Sequence, residues 1–273
     1  MRTVGIAACS NGLKKEARRE IRALEDYLLG LGCEVRESPF LYERENGISG
    51  TGQEKARALM DLFADPDITD IFDVSGGDMA NEVLDFLDFE KIQNSGAAFW
   101  GYSDLTTVLN AVFQKTGKPG VLYCPRNLVG GDFAALQRQR LEASMPLFAP
   151  EIRMVQGESL SGILVGGNIR CLLKLAGTEY FPSLQDRVLL LEARSGGVPQ
   201  LVTYLSQLRS LGAFRQIRGI LLGTFSQLDR EGIDVVPLIK DFAGPELPVG
   251  KTGEIGHGAD SRAIWIGREI GIP

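Results

Sequence analysis

Apolar residues in the first half of the chain fall into short unbroken runs, separated by longer stretches with helical spacing. Thr3 to Ala8 (TVGIAA) is a strand-type run closed by the turn Cys9–Gly12 (CSNG). In KKEARREIRALEDYLLGLG, the apolar positions Ile21, Leu24, Tyr27 and Leu28 recur at helical intervals, and Gly30 and Gly32 end the segment. The alternation continues. EVRESP predicts a strand and TGQEKARALMDLFADP an amphipathic helix stopped by Pro66. DIFDVS predicts a third strand, DMANEVLDFLDFEKI a single third helix, and AAFWGYS a fourth strand, with a helix from about Leu105 to Lys115 behind it. Repeated strand–helix units predict a mostly parallel sheet with helices on both faces.

From about Glu151 the pattern changes. Short strand-type runs dominate: EIRMVQG, SGILVGG, RVLLLEA and IRGILLGTF. Helical spacing returns in NIRCLLKLAG and VPQLVTYLSQLRSLGAF. The expected organisation is an N-terminal α/β domain over residues 1–145 and a C-terminal α+β domain over residues 151–273, with a curved or barrel-like sheet. SMPLFAP reads as the linker.

Composition narrows the functional classes. The chain has 273 residues and net charge −6, with basic residues scattered. It carries no basic stripe of the kind that backbone-phosphate binding needs, which argues against nucleic acid as a partner. No apolar run approaches the roughly 20 residues that span a bilayer. MRTVGIAACSNG reads as a first strand, not a signal peptide, so the expected setting is cytoplasmic, away from membranes. The four cysteines, Cys9, Cys33, Cys124 and Cys171, are far apart and form no CxxC pair, which argues against a disulfide framework or a zinc knuckle. A single histidine, His257, excludes HExxH sites and two-histidine metal clusters. No metal or organic cofactor is expected.

The candidate chemistry starts at Ser103. It sits where an apolar strand gives way to a helix, and ligands of open parallel sheets collect at such strand ends. GYSDL resembles a nucleophile elbow but lacks the second glycine of G-x-S-x-G, so the segment alone fits helix capping by Ser103 or Asp104 at least as well. In DVSGGDMANEVL, Gly76 and Gly77 would let a ligand approach bare backbone, or would make an ordinary tight turn. His257 in GEIGHGADS reads equally as a functional or a surface residue. Glu192, at the end of VLLLEA, needs a partner if buried: either an arginine such as Arg194 or the ring of His257. GPELPVGKTGE imitates a phosphate loop, but the first glycine of that motif is Pro245 here.

Taken together and in order, VGIAACSNGL, the unit around VSGGDMANEVLDFLD, FWGYSDLTTVLNAV, GGNIRCLLKLAGTEYFP, RVLLLEA and GEIGHGAD resemble the LD-carboxypeptidase family of serine peptidases, which includes the microcin C self-immunity peptidases. The resemblance implies a flavodoxin-like N-terminal domain, a C-terminal domain of swivelling-barrel character, and often a homodimer. It implies a Ser103–Glu192–His257 triad, with an oxyanion hole from the backbone N–H groups of Gly77 and Asp104 and no cofactor. Gly76 and Arg194 would contact substrate. Arg126 and Lys251 are further candidates for the cation that an exopeptidase sets against the terminal carboxylate. The implied substrate is a murein tetrapeptide losing its terminal D-alanine. The alternatives are another amide such as a peptidyl-nucleotide, or a binding protein on the same scaffold. Ser75, where many relatives carry arginine, and Tyr123–Pro125, in place of His-Gly-Pro, depart from the pattern.

Overall fold

The computed structural model describes residues 2–143 and 146–273. The strands are β1 (Thr3–Ala7), β2 (Glu34–Glu37), β3 (Ile68–Asp73), β4 (Ala98–Gly101), β5 (Gly120–Leu122), β6 (Arg153–Gln156), β7 (Leu160–Asn168), β8 (Arg187–Ala193), β9 (Gly219–Phe225), β10 (Val249–Lys251), β11 (Ile264–Ile266) and β12 (Glu269–Ile272). The principal helices are α1 (Arg18–Gly30), α2 (Gly52–Ala64), α3 (Phe89–Asn94), α4 (Thr106–Thr116), α5 (Ala134–Glu142), α6 (Ile169–Leu173) and α7 (Val198–Ser210).

The protein is a two-domain α/β structure built on two sheets. The first runs β11-β5-β4-β3-β1-β2, parallel throughout except for β11. The order 2-1-3-4-5 is the flavodoxin-like one. The second runs β12-β7-β8-β9-β10-β6 and curls into a half-barrel; its four central strands are parallel and both edge strands antiparallel. Central strands such as β3 and β8 are buried along almost their whole length, as parallel strands covered on both faces must be. The apolar runs of the sequence have this origin.

α2 starts where Thr51 and Glu54 form a reciprocal cap, Glu54 N–H donating to Thr51 Oγ1 at 3.2 Å and Thr51 N–H to Glu54 Oε2 at 2.8 Å. The single helix expected over DMANEVLDFLDFEKI is two pieces instead: a 3₁₀ turn at Ala80–Phe86 and then α3. Asp88 causes the break. Its side chain accepts Lys91 N–H at 3.1 Å and starts a new helix mid-segment. In SMPLFAP, Ser144 and Met145 lie outside the described residues. Leu147 is fully buried and its carbonyl accepts Ala263 N–H at 2.9 Å, so this part of the segment is core, not a loose tether.

α4 lies between the two sheets, and residues Thr106–Val112 are buried on every side. One continuous apolar cluster joins its Val108 and Leu109 to Leu122 of the first sheet and Leu164, Val188 and Leu221 of the second. Asn110, fully buried, fixes the contact by bonding both backbone groups of Gly166, at 2.8 and 2.9 Å. Thr106 Oγ1 accepts Asn168 N–H at 3.0 Å. The helix that follows Ser103 is thereby locked to the strand that ends at Asn168.

Candidate active site

The carboxyl ends of both sheets converge on one place. β1 delivers Ser10 and Asn11, β3 delivers Gly76 and Gly77, and β4 delivers Ser103; from the second sheet, β7 delivers Asn168 and β8 Glu192. His257 lies in the connection between β10 and β11.

Ser103 opens a 3₁₀ turn ahead of α4 with φ +54°, a left-handed conformation that costs a non-glycine residue about 1–3 kcal/mol. Neither helix-capping reading holds. Tyr102 is the N-cap of this turn and makes no side-chain cap bond, and Leu105 in the same position before α4 makes none either. Ser103 Oγ instead lies 3.0 Å from His257 Nε2. His257 Nδ1 lies 2.7 Å from Glu192 Oε2. With the proton on Nδ1, the imidazole donates to the carboxylate and Nε2 accepts from the hydroxyl.

The surface reading of His257 also fails. Its side chain is only 5% exposed, and the Tyr102 ring covers it at a centroid distance of 4.4 Å. Burial, and next the charge of Glu192, hold the Tyr102 hydroxyl well above its ordinary value, so the ring is a neutral lid. Glu192 is 1% exposed and does not pair with Arg194. Its Oε2 meets His257 and its Oε1 accepts Asn168 Nδ2–H at 2.9 Å.

The Gly-Gly turn is held by a buried polar lattice. Asp73 accepts Cys9 N–H at 2.7 Å, Ser75 N–H at 2.9 Å and the Ser75 hydroxyl at 2.6 Å, and Ser75 Oγ accepts Ser10 N–H at 2.9 Å. Serine at position 75 thus ties β1 to β3 inside the core. Burial pushes the Asp73 carboxyl up against the opposing pull of these bonds. Gly77 has φ +130°, and a Cβ there would lie 2.3 Å from Asn11 Cγ, so no side chain fits. Asp78 N–H donates to Asn11 Oδ1 at 2.8 Å.

Three cations were candidates for a carboxylate anchor. Arg126 pairs with Glu20 at 2.5 Å and Lys251 with Asp234 at 3.1 Å. Arg194 is exposed just beyond β8, one residue past its end. Sequence reasoning passed over the side chains of Asn168, Arg170, Lys174 and Asp104 as site-builders. Only Asn168 left a local signal, an Asx residue opening a helix after Gly-Gly; its Oδ1 accepts Cys171 N–H at 3.3 Å.

Residues 4–123 match the sequence family described as the LD-carboxypeptidase N-terminal domain, and residues 161–272 match the LD-carboxypeptidase C-terminal domain. The murein tetrapeptide carboxypeptidase of Pseudomonas aeruginosa is 27% identical over 89% of this chain and 82% of its own length. The microcin C7 self-immunity protein MccF of Escherichia coli is 23% identical over 82% of this chain and 76% of its own. The crystal structure of muramoyltetrapeptide carboxypeptidase from Oxalobacter formigenes superposes with a TM-score of 0.83 at 22% identity, covering 98% of this chain and 94% of that one.

Proposed function

The chain belongs to the LD-carboxypeptidase family and is a hydrolase of the serine carboxypeptidase type; from that premise we propose that Ser103, His257 and Glu192 are its triad and that it releases terminal D-alanine from a murein tetrapeptide. The observation that carries the triad is the unbroken chain of contacts, 3.0 Å from Ser103 Oγ to Nε2 and 2.7 Å from Nδ1 to Glu192, ending on a serine in a left-handed turn. The substrate rests on likeness to the murein tetrapeptide carboxypeptidases.

In this reading His257 Nε2 takes the Ser103 proton as Oγ attacks the scissile carbonyl. Glu192 holds the imidazole in the Nδ1–H tautomer and stabilises the imidazolium. The backbone N–H groups of Gly77 and Asp104 face the developing oxyanion. Nε2 then gives its proton to the leaving amine of D-alanine, and water repeats the sequence to free the acyl group. Arg194, exposed two residues after Glu192, receives the terminal carboxylate.

The test is mass spectrometry of a murein tetrapeptide incubated with the protein and with Ser103→Ala. Loss of one alanine with the unmutated protein alone supports the reading. Retention of the tetrapeptide, with an aminoacyl sulfamoyl nucleoside cleaved instead, would move the substrate to the peptidyl-nucleotide class that likeness to MccF suggests.

A further inference from the structure

The carboxylate beside the nucleophile is the centre of a second polar knot that the triad does not use. Asp104 is fully buried and accepts the Ser10 hydroxyl at 2.7 Å, Ala80 N–H at 2.8 Å and Lys174 Nζ at 2.5 Å. Lys174 immediately follows α6, in the second domain, and is 19% exposed. The same ammonium donates to Asp78 O at 2.7 Å. One helical turn earlier, Arg170 donates to Gly77 O at 3.0 Å and pairs with the Asp78 carboxylate. The segment Gly77–Ala80 is therefore gripped by Asp104 from the nucleophile turn and by two cations of the α6 segment in the second domain.

We infer that Lys174, seconded by Arg170, is a positioning residue for acyl transfer: through Asp104 and Asp78 it sets the spacing between the Ser103 turn and the Gly77 backbone. The inference rests on Ser103 as nucleophile and on Gly77 and Asp104 as oxyanion donors. Its physical ground is that a buried carboxylate stripped of its cation is left uncompensated and its surroundings must rearrange. Here those surroundings are Ala80 N–H and the peptide of Asp104 itself. Donors must meet the oxyanion at about 2.7–3.1 Å, so a small displacement of either turn is felt in the rate and much less in binding. The knot also makes the donor pair a shared property of both domains, because neither Lys174 nor Arg170 lies in the sheet that carries Ser103.

The test uses a fluorophosphonate, which forms an Oγ–P bond at the nucleophile and expels fluoride through an oxyanion-like state, so it needs no knowledge of the natural substrate. Saturation kinetics separate the maximal labelling rate from probe affinity, and peptide mapping locates the label. Lys174→Met should slow maximal labelling of Ser103 about tenfold to a hundredfold, short of the 10²–10³ for deleting a donor outright. Apparent affinity should change less than about threefold. Lys174→Arg should restore most of the rate. Lys174→Met with Asp104→Asn removes both charges and should recover part of the loss while remaining folded. Arg170→Ala, at a side chain 42% exposed, should slow labelling several-fold without unfolding the protein.

An unchanged maximal rate in Lys174→Met, with only a lower Tm, would make the pair structural and overturn the inference. So would a loss of affinity at constant maximal rate, which would make Lys174 a binding group. If Lys174→Met does not fold, normal rates in both the double variant and Arg170→Ala overturn it equally. Failure of the unmutated protein to label at Ser103 is a separate result, and removes the nucleophile reading beneath it.

Discussion

Asn168 and His257 hold opposite oxygens of one carboxylate: Asn168 Nδ2 donates to Glu192 Oε1 at 2.9 Å, and His257 Nδ1 meets Oε2 at 2.7 Å. Asn168 also begins α6 and takes its backbone N–H to Thr106 Oγ1 at 3.0 Å, so one residue ties Glu192 to the helix behind Ser103. Asn168→Ala should lower kcat about tenfold and cost about 1–3 kcal/mol of stability, because a buried acceptor loses its donor. Asn168→Asp should be worse, since it sets two carboxylates at 2.9 Å. A kcat in Asn168→Ala equal to that of the unmutated protein would show that the amide donor has no part in orienting Glu192.

The triad reading predicts non-additive losses. Ser103→Ala and His257→Ala should each abolish turnover, and the double variant should be little worse than either, because such groups act as a unit. Glu192→Gln should cost about 10⁴ in kcat through the wrong imidazole tautomer.

Gly256 places the histidine. Its φ is +145°, and a Cβ would lie 2.0 Å from Thr224 Oγ1, on the strand next to Glu192's. Gly256→Ala should push the His257 loop off β9 and lower both Tm and kcat. Gly256→Ala combined with Thr224→Ser leaves the obstructing oxygen in place and should not recover; recovery there would mean that Thr224's methyl, not its hydroxyl, sets the approach.

A pH effect on stability should appear at Glu37, the last residue of β2. Burial, a hydrogen bond to Glu25 and that residue's charge raise the Glu37 carboxyl to about 7, against the pull of Arg18. The folded state therefore holds this proton more tightly than the unfolded chain, so its contribution is fully present below about pH 4.5 and is lost as pH rises through 7. Glu37→Gln should stabilise the protein at pH 8, by less than about 1 kcal/mol because the residue is largely exposed, and should make no difference at pH 4. Denaturant titrations at the two pH values give the sign.

The parallel sheet was legible because its strands are covered on both faces. AAFWG and VLLL are apolar without alternation for that reason, and the helices between the strands carry their own start and stop signals. Ser103, Glu192 and His257 could be singled out because each sits at a strand end or in a glycine-rich turn and the chain has one histidine. The break in the third helix was hidden in Asp88, whose capping competes with a helical pattern continuous on either side. The knot around Asp104 left no trace at all. Ser10, Ala80 and Lys174 lie 94, 24 and 70 residues from it, and pairing over such separations is decided by how two sheets dock rather than by any local pattern.

The strand Ile264–Ile266 leaves the second sheet's half of the chain and closes the first sheet against β5. On the ribosome this has an order to it. The sheet that carries Ser103 is threaded out early but stays open along its β5 edge until residue 266 has emerged, by which time Glu192 and His257 are already outside. Completion of the first sheet and the emergence of His257, the last member of the proposed triad, thus fall close together in synthesis, and for most of its length a nascent chain carries Ser103 without the imidazole that lies beside it in the folded protein.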